Sequence, residues 1–273
     1  MNEKNFLKKT EYFRNSLPGK AEDGVLYVLS PEALSLCDDL PDFPYALYID
    51  TSKEDSSKES PAYMSGTRYV LEGCGDFDPD EFDDDYLETV YRRLMKIPLD
   101  ILETDRCLIR ETSVRDLDEF YEIYSDPEIT EFLEDLMERS AEEEYTGRYR
   151  DLIYEIYGHG IWTVIFKETG EVIGRAGLDE RAGFDDPELG FMIGKKWQKK
   201  GFALEVCEAI LGWAVENGIC KVMSLTDPLN EASVSLLKKL GFGREDEVII
   251  NGEKLDRYVI YMRCPEPSSP PSS

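Results

Sequence analysis

The segment Gly194-Lys-Lys-Trp-Gln198-Lys-Lys-Gly201-Phe-Ala203 gathers four lysines within six residues of a chain whose 58 acids outnumber its 31 bases, for a net charge of -27. It joins an apolar run to a helical pattern. Free amides at a helix N-terminus, a glycine that lets a ligand approach the backbone, and local positive charge together suit a polyphosphate. A lysine-rich exposed turn reads the same way, and the segment alone favours neither. Gly194 and Gly201 enclose six residues, and no Lys-Ser/Thr follows Gly201, so this is not a Walker A loop. Other chemistry-bearing residues are sparse. Asp76, Asp78 and Asp80 alternate as in a calcium loop, but Glu81 stands where the turn needs glycine and Leu87 where a bidentate glutamate is needed. The single histidine, His159 between two glycines, reads as a turn residue and leaves little material for a nucleophile-histidine pair. Cys37, Cys74, Cys107, Cys207, Cys220 and Cys264 form no Cys-x-x-Cys pair, which argues against zinc and against a disulfide framework and predicts buried free thiols.

The charge works against nucleic acid and anionic membrane surfaces as partners and favours a cationic substrate. No apolar run approaches the ~18 to 20 residues that cross a bilayer. The first ten residues lack the apolar core and cleavage site of a secretory signal, so a cytoplasmic location is expected.

Two units must carry these residues. In the first, about 1–102, Val25–Leu29 and Tyr45–Ile49 read as strands, a helix begins at Pro31, and a second begins at Asp83, ending before Pro98. The stretch 51–61 reads as a surface loop. The unit is a small α/β domain that faintly resembles a degenerate haloacid-dehalogenase half, without its Asp-x-Asp motif after Leu29. The second unit, 103–264, opens with a strand at Cys107–Arg110 and an N-cap at Ser113 with Asp116 three residues on. Its first helix should bury Val114, Leu117, Phe120, Tyr121 and Tyr124, and a charged helical region spans about 141–157. Strands at 161–166, 171–178 and 188–193 form a meander. A regular helix then buries Ala203, Val206, Cys207, Ile210, Leu211 and Ala214, a strand covers 221–225, and Asn230 caps a helix facing inward through Leu236, Leu237 and Leu240. Strands at 248–250 and 258–262 close the sheet. The Pro/Ser-rich tail from Pro265 should be disordered.

Gln198-Lys-Lys-Gly201-Phe-Ala203 is similar to the Gln/Arg-x-x-Gly-x-Gly/Ala signature of the GNAT superfamily of acyl-CoA N-acyltransferases. The likeness extends to Thr104-Asp-Arg106-Cys-Leu-Ile-Arg110, Ile173-Gly174, Glu188-Leu-Gly190-Phe191, Glu205, Asn230-Glu-Ala-Ser233 and Leu240-Gly241-Phe242. These blocks resemble the branch of ribosomal-protein N-terminal acetyltransferases. The resemblance implies a mixed α/β fold around a central, largely antiparallel sheet flanked by helices, with acetyl-CoA as cosubstrate. It implies that Gln198, Lys199, Lys200, Gly201, Phe202 and Ala203 surround the pyrophosphate. The strand at Gly190–Gly194 would splay from the one at 221–225, so that Phe191, Met192 and Ile193 offer backbone groups to the pantetheine arm and an oxyanion donor. Asn230 would touch the same arm, which is compatible with a plain capping role.

The implied reaction is direct attack of an amine on the thioester, which needs a deprotonated amine and a protonated or solvated leaving thiolate. Many relatives carry a tyrosine seven residues after the motif asparagine. Leu237 stands there in this chain, so Ser233 is the expected group near sulfur. Glu188 is the first candidate base, with Asp179 or Glu180 second. A carboxylate of ordinary pKa ~4 would relay the amine's proton through water. The acceptor is expected to be a small-molecule amine or a protein N-terminus, with a homodimer among the expected assemblies. A non-catalytic acyl-CoA sensor is the other reading.

Overall fold

Val25-Leu-Tyr-Val-Leu29 contains no charged position, so a strand built from it must be covered on both faces. In the computed structural model, which describes residues 6–14, 16, 18, 22–36, 43–53 and 69–264, all five are buried. The chain divides into two units, Met1–Leu99 and Asp100–Ser273. The first holds a four-stranded, all-parallel sheet of β1 (Lys9–Phe13), β2 (Val25–Leu29), β3 (Ala46–Asp50) and β4 (Val70–Gly73), in that order. A short α1 (Pro31–Leu34) follows β2, and α2 (Asp84–Leu94) lays Leu87, Val90 and Tyr91 against Leu26, Val28 and Tyr48. The β1 and β4 strands lie at the sheet edges and are only partly buried, so their apolar signal is weak. The helix expected to begin at Asp83 starts one residue later, with Asp83 as its N-cap and Arg92 and Arg93 in its last turn. Cys37, the loop beyond Lys53 and the tail from Pro265 lie outside the described residues.

The second unit is an eight-stranded sheet ordered β11-β12-β10-β9-β8-β7-β6-β5. Its strands are β5 (Asp100–Glu103), β6 (Cys107–Arg110), β7 (Ile161–Phe166), β8 (Val172–Asp179), β9 (Glu188–Ile193), β10 (Lys221–Thr226), β11 (Gly243–Ile250) and β12 (Glu253–Tyr261). Every neighbouring pair is antiparallel except β9 with β10. Helix α3 (Leu117–Tyr124) and the short α4 (Pro127–Thr130) follow β6. Then come α5 (Arg139–Tyr149), a π-helical turn at Arg150–Tyr154, and the one-turn α6 (Glu155–Tyr157). Helix α7 (Phe202–Glu216) packs on the sheet through Val206, Cys207, Ile210, Leu211 and Ala214, while Ala203 is only partly buried. Helix α8 (Glu231–Lys239) adds Leu237 to the same core.

Several expectations change. Val114 is exposed, because Ser113 and Asp116 form a capping box and the helix proper starts at Leu117, with Leu117 and Phe120 carrying the burial. The β11 strand starts five residues earlier than expected. Its exposed first half, Gly-Arg-Glu-Asp-Glu, has no apolar alternation and is held by ion pairs to β12, Arg244 to Asp256 at 2.5 Å and Asp246 to Arg257 at 2.7 Å.

The cysteine reading is corrected most. Cys220 and Cys264 are joined in a disulfide with Cα atoms 5.5 Å apart, and Cys74 is exposed. The pair is separated by 44 positions, and only the β10/β12 register, Lys221 opposite Tyr261, brings its halves together. Cys107 and Cys207 are buried free thiols as expected, and burial pushes the Cys107 thiol up to about 11. From the loop length, Cys220→Ser should lower stability by about 2 to 4 kcal/mol in denaturant melts without reductant. Added reductant should bring the unmodified chain to the same midpoint; an unchanged midpoint in both would show that the bridge contributes nothing.

Candidate active site

An antiparallel meander can only meet a parallel neighbour through a crossover, and α7 supplies it between β9 and β10. The two strands share one register pair, Met223 with Glu188, and then part. At the join, Met223 N–H donates to the Pro187 carbonyl at 3.0 Å and Ser224 Oγ donates to the Leu189 carbonyl at 3.0 Å. Leu189 therefore turns its backbone toward β10. By the two-residue alternation of a strand, Phe191 and Ile193 do the same further along, where β10 no longer meets them. Met192 turns its backbone toward β8. Of the three residues expected to serve a pantetheine arm, two face the opening with their amides and the third lends its side chain to the core.

The loop that follows is braced at each step. Gln198 Nε2 donates to the Ile193 carbonyl at 3.0 Å, tying the loop to the end of β9. Lys199 and Gly201 both take left-handed backbone, φ 59° and 84°, which bends the chain into a concave run of amides. Gly201 is the N-cap of α7, and no side chain caps that end. The first-turn amides of Phe202, Ala203 and Leu204 are thereby left to a ligand or to water. The need for glycine at 201 is conformational. A Cβ there would meet only Arg106 Nη2 at 3.5 Å, but at φ 84° it would be strained. Of the four lysines, Lys195 pairs with Glu128 and Lys196 with Glu171. Among the described residues no carboxylate lies within ion-pair distance of Lys199 or Lys200, so these two supply the local positive charge.

Arg106 and Glu205 fix the loop to the sheet. Glu205 receives Thr104 Oγ1 at 2.6 Å, Arg106 N–H at 2.9 Å and the Arg106 guanidinium at 2.6 Å. Arg106 also donates to the Lys200 carbonyl at 3.0 Å and stacks over Phe202, 4.1 Å from the ring centroid. Burial alone would raise the Glu205 carboxyl, but bonds from Thr104 and Arg106 outweigh it and hold the group below the usual value. A depressed carboxylate stabilises the fold above the unfolded-state pKa and loses that contribution as pH falls through the folded value. Glu205→Gln should therefore cost about 1 to 2 kcal/mol at neutral pH, with the gap to the parent chain narrowing in acid. Denaturant midpoints measured at pH 7 and below the usual carboxylate range test this; a gap that widens in acid contradicts it.

The expected acid-base residues have distinct surroundings. Ser233 lies in the first turn of α8, half-buried, and its N–H donates to Asn230 Oδ1 at 3.0 Å, so Asn230 is the helix cap. Leu237 is wholly buried. Glu188 stands where β9 and β10 divide, but Oε2 receives Arg181 at 2.8 Å and Oε1 receives Leu225 N–H at 3.2 Å. Each oxygen already has a donor, and the carboxylate pins the start of the opening. At the end of β8, Asp179 stands opposite Glu188 of β9 and accepts from Tyr149 Oη at 2.6 Å. Tyr149 Oη in turn receives Ile161 N–H at 3.0 Å. Burial first, and then the Asp179 charge, push the Tyr149 phenol far up, so it remains a donor to Asp179. His159 is not a plain turn residue. Its ring is buried, with Nδ1 3.0 Å from the Leu178 carbonyl and Nε2 3.3 Å from Glu180. The sequence reading missed Tyr149, whose spacing of four from Tyr145 on one helix face was the available signal.

A family model for the acetyltransferase (GNAT) domain matches residues 106–243, half of the chain. The chain belongs to the GNAT family. The uncharacterized N-acetyltransferase p20 of Bacillus licheniformis is 28% identical over 171 residues, 59% of this chain and 94% of that protein. The [ribosomal protein uS5]-alanine N-acetyltransferase of Escherichia coli is 32% identical over 103 residues, 35% of this chain and 53% of that enzyme. A solved ribosomal L7/L12 α-N-protein acetyltransferase in complex with coenzyme A superposes with a TM-score of 0.52 at 12% identity, covering 60% of this chain and 98% of that one. That likeness speaks for the GNAT fold, with its divided sheet and helix flanks. Among the described residues no helix is long and apolar enough to cross a membrane.

Proposed function

We propose that this GNAT domain transfers the acetyl group of acetyl-CoA to a primary amine by direct attack through a tetrahedral intermediate. The observation that carries the reading is the divergence of β9 from β10 beside the uncapped N-terminus of α7. One opening offers a pantetheine arm unpaired strand amides, and the adjoining loop offers a pyrophosphate the amides of residues 199–204 with Lys199 and Lys200. These donors suit the coenzyme's two polar portions in the order in which its chain presents them. The Phe191 or Ile193 amide is the donor for the thioester oxygen as it gains charge.

The amine reaches the thioester from the Asp179 side. Asp179, oriented by Tyr149, receives the ammonium and passes its surplus proton to water, while Glu188 holds the opening through Arg181 and Leu225. Ser233 donates to the departing sulfur. A coenzyme thiol resembles an ordinary cysteine, so its thiolate leaves with modest help. Ser233→Ala should thus lower kcat about tenfold and leave the affinity for coenzyme A unchanged, as stopped-flow turnover and calorimetry would read. An unaltered kcat would remove Ser233 from the mechanism.

The ribosomal-protein acetyltransferases among the relatives suggest a protein N-terminus as acceptor, and a small amine is the other kind expected from the sequence. Incubation with acetyl-CoA and an amine panel tests the reaction by amine-dependent thiol release. Binding of the coenzyme without release across the panel would favour an acyl-CoA sensor instead.

A further inference from the structure

Ile161, Gly177 and Gly190 stand in one row across β7, β8 and β9. Paired positions of neighbouring strands carry their side chains on one face, and two residues further along that face stands the pair Asp179 and Glu188. Gly190 is also at the mouth of the opening. Leu189 before it is still joined to β10 through Ser224, while Phe191 after it lies beyond the single pair that β9 shares with β10.

The two glycines meet different surroundings. At Gly177 a Cβ would lie 1.9 Å from the Gly160 carbonyl oxygen and 2.8 Å from Ile161 Cα, so β7 presses its backbone onto β8 and leaves no room. At Gly190, apart from its chain neighbours, a Cβ would meet one atom of the described residues within 4 Å, Ile161 Cδ1 at 3.1 Å. Gly190 has ordinary strand backbone without a positive φ, and it is half-buried. Conformation therefore does not call for glycine there. Its missing side chain leaves a shallow space that the Ile161 methyl borders.

That methyl is fixed from behind. Ile161 N–H donates to Tyr149 Oη at 3.0 Å, and the Ile161 carbonyl receives Tyr154 Oη and, at 3.3 Å, Thr112 Oγ1. A β-branched side chain on a pinned backbone has little freedom at χ1. Tyr149 Oη also donates to Asp179, so one phenol sets both the carboxylate and the methyl. A cavity of about 510 Å³, walled by α5 and its π-turn through Tyr145, Tyr149 and Ile153, has Asp179 in its lining. On the other side of Gly190, the buried Met192 occupies the next row of this face.

Resting on the acetyltransferase reading, we propose that Ile161 limits the transferred group to acetyl. The thioester carbon must face the amine to be attacked. With its oxygen on the Phe191 amide, its methyl lies over Gly190, in the place of the absent side chain. Acetyl fits there beside Ile161 Cδ1. The next carbon of a propionyl or butyryl group meets that methyl on one side and Met192 on the other, which moves the thioester carbon off its oxyanion donor.

The test measures kcat/KM for acetyl-, propionyl- and butyryl-CoA by thiol release with the amine panel, and the dissociation constant of coenzyme A by calorimetry. The parent chain should use acetyl-CoA about tenfold better than propionyl-CoA or more, the discrimination that one methylene gives against a shaped apolar wall. Ile161→Val removes only Cδ1 from a half-buried position, and should bring propionyl-CoA to within about threefold of acetyl-CoA. Gly190→Ala fills the space from the other side. It should lower acetyl-CoA turnover about tenfold, while coenzyme A, which has no acyl group, binds as in the parent. Equal use of acetyl- and propionyl-CoA by the parent overturns the proposal and leaves the transfer reaction standing, as does an Ile161→Val chain with the parent ratio or a Gly190→Ala chain with the parent turnover. Coenzyme A bound with no thiol released from any thioester across the panel overturns the acetyltransferase reading itself, and the acyl limit with it.

Discussion

Gly201→Val should raise the dissociation constant for coenzyme A about a hundredfold while the chain stays folded. The residue sits at φ 84° as the cap of α7, and a β-branched side chain in that region costs about 1 to 2 kcal/mol. Within the protein there is room for it, since the nearest atom to a Cβ is Arg106 Nη2 at 3.5 Å. The backbone instead escapes the strain by rotating, and the amides of Phe202 and Ala203 swing with it. Losing two hydrogen bonds to a charged group, each contributing about 1.5 kcal/mol or more, accounts for the hundredfold. Titration calorimetry with coenzyme A reads the loss, and a thermal melt shows that the fold persists. Retained affinity in a folded Gly201→Val chain would remove the phosphate from this loop, and with it the main support for the proposed reaction.

Asp179→Asn should lower kcat/KM for amine acetylation by about two to three orders of magnitude, with coenzyme A binding untouched. The amide keeps the shape and can still accept from Tyr149, so the fold is not at stake, but it cannot take up a proton or balance an ammonium charge. Tyr149→Phe isolates the orienting role. The phenol holds its proton because burial and the neighbouring charge push its pKa up, so it donates to Asp179 throughout the working pH range. Its removal frees the carboxylate to turn, and a loss of about tenfold with an altered pH profile is expected. Full activity in Asp179→Asn would shift the proton acceptor elsewhere, with Glu180 and its His159 partner next in line.

Much of this was legible before any coordinates. The meander, the apolar stripe of α7 and the capping residues Ser113 and Asn230 follow from local periodicity and from short polar side chains that bond nearby amides. So did the segment at residues 194–203, since its glycine spacing and charge are properties of contiguous sequence. Edge strands were the weak point. The β1, β4 and early β11 strands bury too little to show an apolar pattern, and cross-strand ion pairs replace it in β11.

What the sequence determined by itself is the family and the glycine- and lysine-bearing loop that leads into α7, because both depend on residues close together in the chain. Tertiary structure decided what surrounds each candidate carboxylate. Glu188 and Asp179 are adjacent only across a register, and their difference lies in the partners that distant elements bring, Arg181 and the Leu225 amide for one and Tyr149 for the other. The disulfide between Cys220 and Cys264 and the π-turn that shapes the cavity wall were likewise fixed only when the sheet closed and the helix was packed. A hydrogen bond or a cross-link depends on the separation of its ends in space, and that separation exists only in the fold.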